Sequence, residues 1–197
     1  MIRFLDITLS IFFLILFLPI IIAVTVINSF NGNPFFFQER LGKNGKIIKI
    51  IKFRSMIPNS LEILKKDRSL YKKYVENNFK IPAEEDPRIT NFGLFLRKSS
   101  IDEIPQFINV ILGSMSIVGP RPIVPQELQN YSPFEELFLT VKPGITGLWQ
   151  VKGRSSLSKK ERISLDLEYI KNANVFLYIK IILLTPYVVF FKRNDTY

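Results

Sequence analysis

Asp102 and Glu103 are adjacent carboxylates in the stretch RKSSIDEIPQFINVILGSMSIVGPRP, residues 97–122, just ahead of Pro105 and an apolar helical run. The stretch closes on Pro120-Arg121-Pro122, an arginine between two residues of fixed φ. Ser100 with Glu103 three residues on has the form of a capping box, whereas Pro105 favours a first helical turn. The two cues differ on the cap by a residue or two. Both put the carboxylates at the positive end of a helix, which favours ionised acids and also draws phosphate. Neighbouring helical residues point about 100° apart, so one carboxylate can meet a phosphorus atom while the other holds a metal ion or a proton. Capping alone is the plainer reading. Arg121 shifts the balance, because a rigidly presented guanidinium offers bidentate binding to phosphate; a solvent-facing turn arginine is its plainer alternative.

Composition narrows the chemistry. The 197 residues contain no cysteine and no histidine, which removes disulfides, zinc-thiolate sites, thiol nucleophiles and the commonest general base. Catalysis must then use Asp, Glu, Lys, Arg, Tyr, Ser or a hard cation held by oxygen, and magnesium suits such ligands. Lysine and arginine exceed aspartate and glutamate by 27 − 17 = +10, so an anionic partner is expected: nucleic acid, an anionic membrane or a phosphorylated substrate. With 47% hydrophobic residues, 18 of them Phe, the membrane is favoured.

The elements that must position these residues begin with residues 7–27, ITLSIFFLILFLPIIIAVTVI, which carry no charge. About 21 helical residues reach roughly 31 Å, enough to cross a hydrocarbon core. The run is long for a signal peptide and lacks a small-residue cleavage site. Pro19 at its centre predicts a kink. The cations that follow, Arg40, Lys43, Lys46, Lys49, Lys52 and Arg54, mark that side as cytoplasmic, and Arg3 weakly places the N-terminus there too. Charge and Pro19 leave a spanning and a re-entrant segment equally open.

Residues 35–40 and 46–53 flank Leu41-Gly42-Lys43-Asn44-Gly45, whose Asn44-Gly45 pair is a hairpin signal because both central residues of a type I′ turn need positive φ. The three-residue period of KIIKIIKF makes a short helix the rival. Lys46, Lys49 and Lys52 could face headgroups or substrate. Residues 59–80 read as a helical region entered through an Asn59–Glu62 capping box and closed by Pro82, a scaffold or docking surface. Asp86-Pro87-Arg88 reads as a turn and residues 91–98 as a short basic amphipathic helix. In VKPGITGLWQVKGRS, residues 141–155, Pro143-Gly144 fits a type II turn, Gly147 a bend and Gly153-Arg154 a flexible step. Trp149 could stack on a base or sugar, though a lone Trp here fits the core. Residues 157–171 are predicted helical, with Asp166 and Glu168. The tail, residues 175–191, is apolar but too short to span, and Lys192-Arg193 after it fits a helix lying in the interface.

These motifs together resemble the bacterial sugar transferases, the monotopic phosphoglycosyl transferases that start glycan assembly. The likeness runs nearly end to end, through KFRSM at residues 52–56, DPRIT at 86–90, residues 96–124, residues 141–155 and the ERISLDLEYIKN region. Trp149 and the insert between Met56 and Thr90 are most similar to the undecaprenyl-phosphate galactose phosphotransferases. The resemblance implies transfer of a sugar-1-phosphate from a UDP-sugar to polyprenol phosphate with release of UMP. It implies a covalent phospho-sugar intermediate on Asp102, with Glu103 as partner and Mg²⁺ held by both. Lys52, Arg97, Arg121 and Arg154 become the substrate-binding candidates. It also favours the re-entrant answer, with both ends of the segment cytoplasmic. One departure is Leu18, where many relatives carry a serine before the membrane-helix proline, so the kink rests on Pro19 without a neighbouring hydroxyl.

The expected architecture is α+β and mainly helical: a re-entrant membrane helix over residues 1–33, then a cytoplasmic catalytic domain over 34–197 with a small β-hairpin and amphipathic interfacial helices. The expected setting is the cytoplasmic face of the bacterial inner membrane, with UDP-sugar, polyprenol phosphate and membrane lipid as partners. A homodimer stays open, as does the identity of the sugar. The rival readings are a non-catalytic basic membrane scaffold and a UDP-sugar diphosphate hydrolase. Nucleic acid is not an expected partner, since no basic helix-turn-helix pattern occurs.

Overall fold

A computed structural model describes residues 1–30, 32–76 and 81–191. The apolar N-terminal stretch forms two helices, α1 (Ile2–Leu16) and α2 (Leu18–Ser29), bent by 63° at Phe17. Pro19 in the first turn of α2 has no N–H for the carbonyl of Ile15, and its ring crowds that carbonyl. The ladder resumes at once on either side. Phe17 N donates to Phe13 O and Ile21 N to Phe17 O, each at 2.9 Å. The kink expected at Pro19 is therefore present without a hydroxyl at position 18. No single helix among the described residues is long and apolar enough to cross a membrane, although the bent pair passes together by length and composition.

Strands β1 (Phe35–Leu41) and β2 (Ile47–Phe53) pair antiparallel, Phe35 opposite Phe53 and Leu41 opposite Ile47. KIIKIIKF is thus a strand, and its helical rival falls. The connection has five residues, as expected, but runs over 42–46, one residue later than 41–45. Asn44 and Gly45 take φ 59° and 72°, the left-handed conformation that this pair tolerates.

The helical region expected over residues 59–80 is instead two helices, α3 (Ser60–Lys66) and α4 (Arg68–Glu76), and residues 77–80 lie outside the described residues. The Asn59–Glu62 capping box does not form, because Asn59 itself adopts φ 56° and its side chain caps nothing. The break falls at Asp67, whose Oδ1 accepts from Ser69 N at 2.9 Å and Leu70 N at 3.0 Å and so starts α4 afresh. The Asp86-Pro87-Arg88 turn encloses a buried bidentate ion pair, with Arg88 Nε 2.8 Å from Asp86 Oδ1 and its terminal nitrogen 2.7 Å from Oδ2. Helix α5 (Asn91–Lys98) follows, capped by Thr90 Oγ1, which accepts from Gly93 N.

After α6 (Gln106–Ile111) come β3 (Ser116–Val118), α7 (Glu135–Leu139) and β4 (Gly144–Thr146), which pairs parallel with β3. The type II turn expected at Pro143-Gly144 is absent, and Gly144 opens a strand instead. Its need for glycine is steric: a Cβ there would lie 2.1 Å from Gly119 N. Helices α8 (Leu148–Lys152), α9 (Lys159–Asn172) and α10 (Val175–Phe191) complete the chain. Ser158 and Glu161 make a true capping box on α9. Trp149 is core, 5% exposed, with the Arg162 guanidinium over its ring.

The main core gathers Val110 of α6, Ile117 and Val118 of β3, Leu148 of α8 and Tyr178 and Ile181 of α10, with Leu5, Leu9 and Phe13 of α1 packed against it. Both ends of the bent pair are tied to this body by polar groups. Near its start, buried Asp6 accepts through Oδ1 from Ser116 Oγ at 2.9 Å, Ile117 N at 2.8 Å and Tyr178 OH at 2.8 Å. Arg3 donates to the carbonyls of Val110 and Ile111 at the end of α6. At the far end, Asn28 Nδ2 donates to Arg54 O at 2.8 Å. Away from the body, Phe12, Ile15, Leu16, Leu18, Ile22 and Val26 are exposed, as are Phe176, Leu183, Tyr187 and Phe191 of α10. Lys192-Arg193 lie outside the described residues.

Candidate active site

Lys52 stands near the end of β2, paired across the hairpin with Phe36. Among the described residues no strand bonds the other edge of β2, and Asn109 of α6 takes its place. Asn109 Oδ1 accepts from Ile51 N at 2.9 Å and its Nδ2 donates to Lys49 O at 2.8 Å. One amide side chain thereby locks β2 onto α6 and fixes Lys52 against the residues that precede that helix.

Those residues are the acidic pair. Asp102 and Glu103 do not begin α6. They occupy a separate 3₁₀ turn, Ile101–Glu103, with Ile104 and Pro105 intervening before the helix. The Ser100 capping box is also absent, because Ser100 takes φ 59° and caps nothing. That left-handed residue reverses the chain out of α5 and turns both acids toward Lys52. Lys52 Nζ is 2.7 Å from Glu103 Oε1 and 4.0 Å from Asp102 Oδ2. The two carboxylates therefore share one cation.

The neighbours divide them. Burial pushes the Asp102 carboxyl above the usual carboxylate range, and the negative charge of Glu103 adds to this against the pull of Lys52, Arg97 and Arg121. Burial opposes ionisation of Glu103 as well. There the charges of Lys52 and Arg121, with hydrogen bonds from Lys52 and Gln106, win and hold it below the usual range. Asp102 is the less stabilised, more basic anion, and Glu103 is the firmly ionised one.

Arg121 is delivered by β3. Gly119 N donates to Thr146 O at 2.9 Å and Gly144 N to Pro120 O at 2.8 Å, so the parallel pair grips the backbone up to the arginine. Its charge acts on both carboxylates. Arg97, in the last turn of α5, donates from Nε to Ser55 Oγ at 2.8 Å, and its charge acts on Asp102. Arg154, at φ 50°, reaches Ser100 Oγ at 3.4 Å and Val188 O at 3.5 Å, so it meets the turn two residues before Asp102 and neither acid directly. Pro19 acts on helix geometry and lies apart from this cluster.

Three further residues were not read as site residues in the sequence, Arg40 having been counted only among the cations after the apolar run. Gln106 hydrogen-bonds Glu103, Asn109 clamps β2, and Arg40 lines the same narrow cleft as Lys52, Glu103 and Arg121. Gln106 and Asn109 sit one turn apart in an apolar run, which is the trace they leave in the sequence.

Among the described residues no group of three or more metal-ligating side chains assembles. Asp102 and Glu103 nonetheless fit magnesium, which is held through one or two carboxylates together with substrate phosphates rather than in an all-protein cage.

The family described as "Bacterial sugar transferase" matches residues 1–192. The galactosyl transferase CpsE of Streptococcus agalactiae serotype III is 45% identical over 189 residues, 95% of this chain and 41% of that protein. The undecaprenyl-phosphate galactose phosphotransferase of Salmonella typhimurium is 41% identical over 199 residues, 99% of this chain and 41% of that protein. The exopolysaccharide production protein ExoY of Sinorhizobium fredii is 39% identical over 173 residues, 86% of this chain and 76% of that protein. The chain thus spans about two-fifths of the length of the first two.

Proposed function

We propose a function from one premise: this chain belongs to the bacterial sugar transferase family. It moves a sugar-1-phosphate from a UDP-sugar to polyprenol phosphate at the cytoplasmic face of the membrane. The observation that carries this reading is the division of the acidic pair, with Asp102 buried and raised while Glu103 is paired with Lys52 and held ionised. A desolvated, more basic carboxylate is the better nucleophile, and fixed cations around it offset the charge of the diphosphate it attacks.

In the first half-reaction an Asp102 oxygen attacks the sugar-bearing phosphorus. The bond from that phosphorus to the bridging oxygen breaks, and UMP leaves with the electron pair. In the second, a phosphate oxygen of the polyprenol carrier attacks the same phosphorus, and the carboxylate of Asp102 departs. Lys52 and Arg121 balance charge at the phosphates, and Glu103 keeps Lys52 in place. Asp102 and Glu103 would hold Mg²⁺, which supplies charge neutralisation at the diphosphate when bound.

The re-entrant placement of the N-terminal pair rests on its two polar ties. Asp6 at the start and Asn28 at the end both bind the body that carries the site, which suits a segment that enters and leaves by one face. Its exposed apolar surface suits contact with lipid. Residues 1–33 then form the membrane insert and residues 34–197 the cytoplasmic catalytic part.

Purified protein in lipid or detergent, given undecaprenyl phosphate and a panel led by UDP-galactose and UDP-glucose, should release UMP and form lipid-linked sugar. Consumption of the UDP-sugar without an acceptor would replace this reading with a hydrolase, and no consumption of any donor would leave a scaffold. Because the chain has no cysteine, single cysteines added at position 1 and after residue 33 can be labelled from outside the cell, and one reactive and one protected site would contradict re-entry.

A further inference from the structure

Arg40 has no role among the residues assigned above, yet its placement is costly. It lies near the end of β1, opposite Ile48, and the next residue is tied to the segment after Pro122 by Leu41 N donating to Ile123 O at 2.8 Å. That bond sets the Arg40 side chain beside Arg121, and the two guanidiniums repel. Burial and the charge of Arg121 both act to lower the Arg40 pKa, opposed by Glu127 and Glu103. The side chain is 16% exposed, its nearest ion pair is long, 3.8 Å to Glu127 Oε2, and its buried Nε has no hydrogen-bond partner. A buried guanidinium donor without an acceptor is unfavourable in a free protein and becomes favourable when an anion arrives. The cleft before it is lined by Arg40, Lys52, Arg121, Glu103, Gln106 and Gly144. Three cations line it with one firmly ionised carboxylate, Glu103, and Glu127 stands 3.8 Å from Arg40.

We infer that Arg40 is a further substrate-binding residue, whose Nε and terminal nitrogens take a phosphate oxygen in the cleft beside Arg121. This rests on the proposed transferase function and deepens it. The ligand is a phosphate group, and the donor's diphosphate and the carrier lipid's phosphate share that chemistry. The guanidinium fork suits a phosphate with two open oxygens.

The test measures thermal unfolding of the full chain in detergent, with UDP plus Mg²⁺ in one arm and a short-chain polyprenyl phosphate in the other. Arg40→Met keeps the apolar stem and removes the charge, and Arg40→Lys keeps the charge and removes the fork. Without ligand, Arg40→Met should unfold no earlier than the unsubstituted protein, since it deletes an unsatisfied donor and a like-charge repulsion. With ligand, its affinity should drop roughly 10- to 100-fold in one arm, and Arg40→Lys should fall between. Loss in the UDP arm assigns the contact to the donor, and loss in the lipid arm assigns it to the carrier. Unchanged affinity in both arms overturns the inference, whatever happens to stability. If neither ligand protects the unsubstituted protein, the transferase reading falls and this inference falls with it.

Discussion

Two buried aspartates sit in this molecule in opposite circumstances. Asp6 is 3% exposed and Asp102 8% exposed, so burial does not distinguish them. Their partners do. Asp6 is met by neutral donors, a serine hydroxyl, a backbone amide and a tyrosine hydroxyl, all within 2.9 Å. Asp102 is met by charges, with Lys52 at 4.0 Å, Glu103 next in the chain, and the fields of Arg97 and Arg121. The first arrangement spends its hydrogen bonds on holding α1, β3 and α10 together. The second sets a buried anion among charged neighbours, with Lys52 shared between it and Glu103. In the proposed reading the donor-saturated Asp6 serves the fold, and Asp102, held among charges, serves the chemistry.

The largest expected effect tests that contrast directly. Asp102→Asn should lower UMP release by a factor of about 10³ or more, since it removes a group that acts covalently. Its folded state should be no less stable, because a raised carboxylate beside Glu103 is lost. A variant that still releases UMP at the normal rate sinks the nucleophile assignment. Lys52→Met comes next, with a loss of roughly 10²–10³ in rate. Unlike Asp102→Asn it should also destabilise the protein, because Glu103 keeps its charge and loses its counter-ion. If denaturation shows Lys52→Met and Asp102→Asn equally stable, the division of labour between the two acids is wrong.

At Asp6 the pattern should reverse. Asp6→Leu leaves three donors without an acceptor and should cost roughly 3 kcal/mol or more of stability, with activity falling only as the folded fraction falls. Asp6→Asn retains an acceptor oxygen and should recover most of it. A rate defect in Asp6→Asn that exceeds its stability defect would falsify the purely structural role.

The smallest effects are in pH. Ionised Asp102 is present above its raised pKa and is lost as pH falls through it, so the acid limb of UMP release should lie above the ordinary aspartate range. Lys52→Met should move it higher still, since Lys52 lowers that pKa. Buried Asp166, which accepts from Tyr131 OH at 2.9 Å, is pushed up by burial to about 7. A raised acid contributes stability that is complete below its unfolded pKa and lost as pH rises through about 7. Asp166→Asn should therefore flatten the fall in unfolding free energy across that interval, and an unaltered slope would assign the fall to other groups.

Much of the candidate site was legible because the chemistry proposed for it is written in residue types. The absence of His and Cys pointed to carboxylates, Pro120-Arg121-Pro122 to a fixed cation, and Asn44-Gly45 to the hairpin that carries Lys52. Ser100 and Pro143-Gly144 were assigned their local preferences as a cap and a turn, and in both longer-range bonding prevailed, whereas Asn59 fails as a cap through its own left-handed φ of 56°. Ser100 takes a left-handed conformation that turns the acids toward β2, and Gly144 is drawn into a strand by Gly119. Asp6 escaped notice because it borders the apolar run and its partners lie more than a hundred residues away.

By itself, the sequence determined the inventory: which groups can attack a phosphorus, which cations can meet a phosphate, where the apolar segment lies and that Pro19 must break it. Family membership followed from the order of the motifs. Only the tertiary structure decided how like residues divide. Asp102 and Glu103 are equivalent as letters, and Asp6 and Asp102 nearly so. Ionisation depends on desolvation and on charges a few ångströms away, and those distances are set by Asn109 holding β2 against α6, by the bond from Leu41 to Ile123 and by the β3–β4 pair that grips the backbone up to Arg121. Each is a contact between segments that are distant in the chain.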